Sequence, residues 1–295
     1  MADRDRHEGR GHATRDHLLL CDPMPELPEV ESARALIAAH GLNRKIAEVD
    51  DHDTYVSRPH APGDIDVALR GHTFTEAHRR GKSMWLTTDD GPTLGLHLGM
   101  AGRIVIDDSA AGDYWRDGGA KHLPVWDRFT VHFTDGGFLT LRDKRRLGRA
   151  VLDPDLSRLG PDAAEIGKQE FRDRVGHGEA PLKARIMDQS VIAGVGNLLA
   201  DEALWRAELD PRRAAGGLSD DELDRLRRDI RAATRRAIRL GGVHTGDVIP
   251  HRTRDGHCPR CGAPMSRATI GGRTTYWCSN EQDQLGEHAA PIALR

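Results

Sequence analysis

The feature that most restricts how this chain can fold is a change of hydrophobic period near residue 150. Before it, Leu94, Leu96, Leu98 and Met100 alternate with Gly95, His97 and Gly99. Phe129, Val131 and Phe133 alternate again, and Asp135-Gly136-Gly137 turns them into Phe138–Leu141. A period of two marks half-buried strands, and several short ones predict a sandwich or partly closed barrel. Residues 107–124, rich in Gly and Asp, are expected to form a loop. From about 155 the period becomes helical, with helices expected over Pro181–Gln189 and Asn197–Ala207. Ser219-Asp220-Asp221-Glu222 reads as a capping box opening a helix with Leu223, Leu226, Ile230 and Ala233 on one face, closed by Gly241-Gly242. Strands first and helices second give an α+β chain.

Composition narrows the functional classes. Charged residues make up 30% and aromatics 4% of 295 residues, enough for roughly two domains. No apolar stretch approaches the roughly 20 residues of a membrane span, so no membrane role is expected. The net charge of −3 does not by itself indicate nucleic acid. Basic residues nevertheless cluster in Arg142–Arg149 and along Arg225–Arg239, and local clusters bind phosphate despite an acidic total. The second cluster reads equally well as a solvated helix face. Of four cysteines, three (Cys258, Cys261 and Cys278) sit close together near the C-terminus, and no secretion signal precedes them. That pattern points to a cytoplasmic protein with metal chemistry rather than disulfides.

Met24-Pro25-Glu26 carries the most specific chemical signal. Were translation to begin at Met24, methionine removal would leave Pro25 as a free secondary amine beside a carboxylate. Such an amine condenses with a masked aldehyde to give an iminium ion. In the chain as numbered, the Pro25 nitrogen is an amide. Residues 1–23 have the composition of a disordered extension, mostly charged residues, His and Gly, and are expected to reflect a mis-assigned start. After Met24 the character changes at once. Pro28 suits a first helical turn, Glu29 and Glu31 its positive end, and Val30, Ala33 and Ile37 recur at helical spacing.

Other short motifs are each weak alone. In Gly194-Val195-Gly196-Asn197 the glycines allow close backbone approach, and Asn197 is placed to cap a helix whose N–H groups favour an anion. A plain helix–turn–helix corner has the same pattern. Lys82, in Arg79-Arg80-Gly81-Lys82, is expected to open a strand as a phosphate contact. Arg145-Arg146-Leu147 places an apolar tip among cations, suited to entering a base stack. Cys258-x2-Cys261 followed by Cys278 has the spacing of a zinc module, but Glu281 stands where a fourth cysteine would be expected. His257 and His288 are the other candidate ligands.

Together these motifs, in this order, resemble the formamidopyrimidine-DNA glycosylase/endonuclease VIII (Fpg/Nei) family. The resemblance runs from residue 24 to about 282 and includes His-Leu-Gly-Met and Gly-Gly-Arg-Thr-Thr-Tyr-Trp-Cys. It implies an N-terminal β-sandwich catalytic domain (24–150), a helix–two-turn–helix DNA-binding domain (155–245) and a zinc-finger-like β-hairpin (255–295). It also implies a bifunctional DNA glycosylase and abasic-site lyase of base excision repair. Pro25 would attack C1′ of the damaged nucleotide and Glu26 would protonate the opening sugar. Lys82, His97, Asn197 and Arg273 would hold phosphates around the lesion. Met100, Arg145 and Leu147 would fill the gap left by the flipped nucleotide. The partner would be double-stranded DNA carrying oxidised bases or abasic sites, bound by a monomer at the nucleoid.

The chain departs from the family pattern in ways that bear on activity and substrate. The extension blocks the nucleophile while it is attached. Glu281 replaces the last zinc ligand of Cys258, Cys261 and Cys278. Leu147 stands where the 8-oxoguanine branch has Phe, and only fifteen residues separate Gly242 from Cys258. Oxidised purines, formamidopyrimidines and oxidised pyrimidines all stay open as substrates. A damaged-DNA binding protein without catalysis is the alternative from a different class. A zinc-ribbon regulator accounts only for the cysteines.

Overall fold

The computed structural model describes residues 24–112 and 124–283. The extension over 1–23, most of the expected loop before 124, and His288 lie outside the described residues. A first helix, α1 (Leu27–His40), enters a strand-rich unit containing β1 (Ile46–Asp50), α2 (Asp64–Leu69), β2 (Phe74–Arg80), β3 (Ser83–Thr88) and β4 (Leu94–His97). β5 (Gly102–Ile106), β6 (Ser109–Gly112), β7 (Asp127–Phe133), β8 (Phe138–Asp143) and β9 (Arg149–Leu152) complete it. A helical unit follows, with α3 (Lys168–Val175), α4 (Leu182–Met187), α5 (Asn197–Arg206) and α6 (Asp220–Leu240). A hairpin of β10 (Met265–Ile270) and β11 (Arg273–Cys278) ends the described chain.

The strands form two antiparallel sheets, ordered β1-β7-β8-β5-β6 and β2-β3-β4-β9. Their inward apolar residues, among them Ile46, Phe74, Leu86, Leu96, Phe129 and Leu141, share one buried core. The sandwich and helical unit are those expected from the change of period, and the hairpin is the one the family resemblance implies. β6 is a correction: residues 109–112 were expected to be loop, yet they pair with β5 from Arg103↔Gly112 to Ile106↔Ser109. Short side chains with no clear alternation hide an edge strand whose partner supplies the hydrogen bonds. The capping box is present as read: Ser219 and Glu222 satisfy each other's backbone N–H, and Gly241 closes α6 at φ +92°. Among the described residues, no helix is long and apolar enough to cross a membrane.

The first helix belongs to both units. Leu27 is buried in the helical core, whereas Val30, Ala33 and Ile37, three to ten positions on, are buried in the sandwich core. Beside it, Arg79 on β2 binds Glu31 of α1 at 2.8 Å and the largely buried Asp162 of the helical unit. Asp162 also accepts the Gly81 N–H at 2.7 Å. One guanidinium therefore joins α1, a strand and the second unit. Removing one partner of a buried pair strands the others without compensation and typically costs about 3–5 kcal/mol. Arg79→Ala should therefore lower unfolding free energy by about 3 kcal/mol in urea titrations, and a loss below about 1 kcal/mol would show that the joint is a surface pair.

Candidate active site and metal centre

The Gly194-Val195-Gly196-Asn197 segment makes the turn into α5, but not as its sequence suggests. Gly196, not Asn197, is the cap residue, and the exposed N–H groups are already occupied. The carboxylate of Glu26, from the start of α1, accepts from Gly196 N at 2.9 Å, Leu198 N at 2.8 Å and Leu199 N at 3.1 Å. The expected anion is thus an internal one, because a carboxylate fixed in the chain loses little entropy in reaching the helix end. Glycine is required here: a Cβ on Gly196 would fall 2.2 Å from the Glu26 carboxyl carbon, and Gly194, at φ +116°, would place one 2.5 Å from Leu27.

Pro25 is buried next to Glu26, and both lie at the joint between the units. Burial pushes the Glu26 carboxyl above its usual range, opposed by the charge of Lys82 and by its three amide donors. Lys82 lies in the turn before β3 rather than on the strand, which begins at Ser83. Burial pulls its amine below the ordinary lysine range; the Glu26 charge acts the other way, and Arg273 adds to the depression. Glu26, Lys82 and Arg273, which come from α1, a strand turn and the hairpin, therefore share one electrostatic site. His97 ends β4 opposite Ser83 and Arg149, and Gly99 N donates to its Nδ1 at 2.9 Å, leaving Nε2 to carry the proton. Burial, then Lys82, lowers its pKa, so it meets the site as neutral imidazole.

The residues expected to enter a base stack come together on two touching loops. Asp143, fully buried at the end of β8, accepts from the N–H groups of Arg145, Leu147 and Gly148. Arg146, at φ +55°, is held by a two-pronged bond to Asp53 and stacks on Tyr55. The tip, Leu147, is consequently 43% exposed on a turn whose backbone is tied down. Gly99 lies against the Leu147 backbone, which places Met100 beside that tip. Arg145 is exposed.

Asn197 and Arg273 are positioned by residues that no sequence motif singled out. Lys183, on α4, is fully buried and binds Asp201 at 2.7 Å, Thr275 Oγ1 at 2.8 Å and Asn197 Oδ1 at 2.7 Å. A lysine only donates, so it selects the Asn197 oxygen and leaves the amide –NH2 as a donor directed away from Lys183. Asp201 also receives Arg252 at 2.7 Å and the backbone N–H of Tyr276, fixing β11 and so the exposed Arg273 at its start. Lys183 occupies the apolar register of Leu182 and Ile186, and that misplacement in an otherwise amphipathic turn was the available signal.

Cys258, Cys261, Cys278 and Glu281 converge, with one donor atom of each within 4.8 Å of the others. Cys261 and Cys278 sulfurs are 3.4 Å apart, and Cys258 Sγ lies 3.6 Å from Glu281 Oε2. Zn–S bonds of about 2.3 Å and Zn–O bonds of about 2.0 Å place tetrahedral donors about 3.5–3.8 Å apart, so this donor set fits zinc. His257 instead pairs with Pro264 through its backbone and is not in the cluster. Trp205 Nε1 donates to Cys258 at 3.3 Å, and Trp205, Met265, Cys258 and Cys278 form a small core of their own. Burial pushes the Cys278 thiol up to about 12, a proton a metal would displace.

A family model described as "Formamidopyrimidine-DNA glycosylase N-terminal domain" matches residues 24–150, and that of the corresponding H2TH domain matches residues 159–248. The chain belongs to the formamidopyrimidine-DNA glycosylase family. It is 32% identical over 286 residues to the enzyme of that name from Paracoccus denitrificans, covering 86% of this chain and 98% of that one. The Teredinibacter turnerae counterpart is 33% identical over 289 residues, covering 88% and 100%. Among solved structures, Lactococcus lactis Fpg with abasic-site DNA superposes with a TM-score of 0.73 at 25% identity, covering 88% of this chain and all of that one. The same protein with Fapy-dG DNA gives 0.73 at 26%.

Glu29 reads in the sequence only as a helix-end charge, yet it links the start of α1 to the turn after α6 in this family member. Its carboxyl accepts from Glu26 N at 2.9 Å and from Val243 N at 2.7 Å. Burial, reinforced by the Glu26 charge and opposed by the Val243 amide, raises its pKa to about 8. The unfolded chain releases that proton near 4.5 while the folded chain keeps it to about 8. The stabilisation is therefore complete below pH 4.5 and is lost as pH rises through 8. Glu29→Gln, neutral at every pH, should flatten the decline in urea-measured stability between about pH 5 and pH 8. Parallel declines in both proteins would remove Glu29 as its source.

Proposed function

We propose that this chain is a bifunctional DNA glycosylase and abasic-site lyase acting on oxidised bases in double-stranded DNA. The observation that carries the reading is the Glu26 carboxyl, buried beside Pro25 on the end of α5 and facing the charge of Lys82. The nucleophile is the Pro25 amine, generated once Met24 and the residues before it are removed. Its lone pair attacks C1′, the C1′–base bond breaks, and the departing base takes the bonding electrons together with the proton given up by the proline nitrogen. Glu26, whose carboxyl burial favours in the protonated form, delivers a proton to the opening sugar oxygen. The iminium so formed acidifies C2′–H; loss of that proton expels the 3′ phosphate, and water then releases the proline.

Lys82, His97, the Asn197 amide and Arg273 hold the backbone around the lesion, and Met100, Arg145 and Leu147 occupy the vacated stack. Support for damaged DNA as partner comes from the Lactococcus lactis relatives, solved with abasic-site, Fapy-dG and oxidised-pyrimidine DNA. Zinc held by Cys258, Cys261, Cys278 and Glu281 would clamp the hairpin and present Arg273. The connection from Gly242 to Cys258 is packed down, with Val243 bonded to Glu29, Val248 buried and Arg252 tied to Asp201. With no long segment there to close over an extruded base, the pocket should accept both oxidised purines and oxidised pyrimidines.

Protein beginning at Pro25 should give a borohydride-trapped adduct with abasic-site DNA, and chain retaining Met24 should give little. Equal trapping by both would displace Pro25 as nucleophile and favour Lys82. Absence of trapping with intact DNA binding would favour the catalytically inactive damaged-DNA binding protein, a reading supported by the amide-linked Pro25 of the full chain. Glu26→Gln should slow base excision by about 10²–10⁴-fold, with less effect on a preformed abasic site; unchanged excision would remove its proton-transfer role.

The phosphate ligands should behave differently from Glu26. Asn197→Ala and Arg273→Ala should weaken duplex binding, and loss of the arginine charge should reduce the slope of log Kd against log salt by about 0.9. Salt slopes measured by fluorescence anisotropy decide this, and an unaltered slope for Arg273→Ala would place that side chain away from the backbone.

A further inference from the structure

We infer that Arg260, between the two ligands of the Cys258-x2-Cys261 pair, is a positioning residue that makes Glu281 a metal ligand in place of cysteine. The inference rests on the reading of Glu281 as the fourth ligand. A glutamate has more rotatable bonds than a cysteine and a charge that solvent competes for, so substitution alone would leave a mobile surface carboxylate. Four contacts of Arg260 prevent this. Arg260 Nη1 donates to Glu281 Oε2 at 3.2 Å, the same oxygen that lies 3.6 Å from Cys258 Sγ. The other end of the clamp is anchored: Nη1 also binds Glu208 at 2.7 Å, and Nη2 donates to the Trp205 carbonyl at 3.2 Å. The guanidinium stacks 4.3 Å over the Trp205 ring, whose Nε1 in turn donates to Cys258 Sγ.

The planar fork of an arginine suits this task, since one rigid group contacts a ring face, a carbonyl and two carboxylates at once. Its bond to Oε2 holds the carboxylate beside the sulfurs and uses one lone pair of that oxygen, leaving the other and Oε1 for the metal. The cluster is thereby coupled to the C-terminal end of α5, with Trp205 in its last turn and Glu208 in the turn that follows. Removing a group that orients a metal ligand typically weakens metal binding about 10–100-fold.

A double-mutant cycle on metal-stripped full-length protein tests this, with cobalt(II) and zinc(II) as probes. Wild type should bind cobalt with thiolate charge-transfer and tetrahedral d–d absorption, and Glu281→Cys should shift the d–d bands. Arg260→Ala should weaken cobalt and zinc binding at least about 10-fold in the wild-type background. In the Glu281→Cys background the same change should alter affinity less than about 3-fold, well under the usual loss of an orienting group, because a cysteine needs no clamp. Arg260→Lys, which keeps charge but not the planar fork, should recover only part of the affinity. Equal loss in both backgrounds would show that Arg260 merely packs on Trp205, and no loss in wild type would overturn the inference outright. If Glu281→Gln binds cobalt as tightly and with the same spectrum as wild type, it is the ligand reading itself that fails. Circular dichroism of each variant separates loss of fold from loss of ligand.

Discussion

Most of the site depends on one interaction, the seating of the Glu26 carboxylate on the first turn of α5. It joins residues 170 or more positions apart through three backbone N–H bonds. A helix N-terminus has unsatisfied donors and partial positive charge, and a carboxylate satisfies both. The same contact packs Leu27 into the helical core, places Pro25 at the joint, and brings Lys82 within the field of Glu26. It also explains the two glycines before Asn197, since a side chain at Gly196 would occupy the carboxylate's place. Folding and the electrostatic state of Glu26 therefore draw on one contact, and a change in its protonation would alter a bond that also holds the two units together.

A second buried network plays the corresponding part for Asn197 and Arg273. Lys183, Asp201 and Arg252 form a chain of charge pairs between α4, α5 and the hairpin. Buried pairs of this kind are weak sources of stability, because desolvation offsets the attraction. Their effect here is directional: the Asn197 amide has one orientation, and β11 has one position relative to α5. On the sandwich side Asp143 does the same for the Leu147 turn with three N–H bonds. In each case an acidic residue deep in the protein fixes a polar or apolar group at its surface.

Much of the architecture was legible because it depends on local periodicity. The strands around Leu96 and Val131, the capped α6 and the Gly271-Gly272 hairpin all follow from repeats or turns within a few residues. β6 escaped, since Ser109–Gly112 has no pattern of its own and forms only because β5 offers an open edge. The N–H groups before α5 favour an anion, as the Gly194–Asn197 pattern implies, and Glu26 supplies it. That carboxylate lies in another part of the chain, and no spacing rule joins Glu26 to Leu198.

The sequence by itself determined the class of the protein, the order of its units and the residue types available for chemistry. Met24-Pro25-Glu26, Gly194–Asn197 and the three cysteines are short-range signals, complete within a few positions. Tertiary structure decided which of those groups meet and in what electrostatic state. Glu29 and Arg260 look like ordinary surface charges in a linear string, because charge and helix propensity are local properties, and Lys183 differs only in standing in an apolar register. Burial is not local: it is set by what packs on a residue from elsewhere in the chain. Burial shifts the carboxyl of Glu29 and aims the amide of Asn197 through Lys183, whereas the exposed Arg260 reaches Glu281 from the surface.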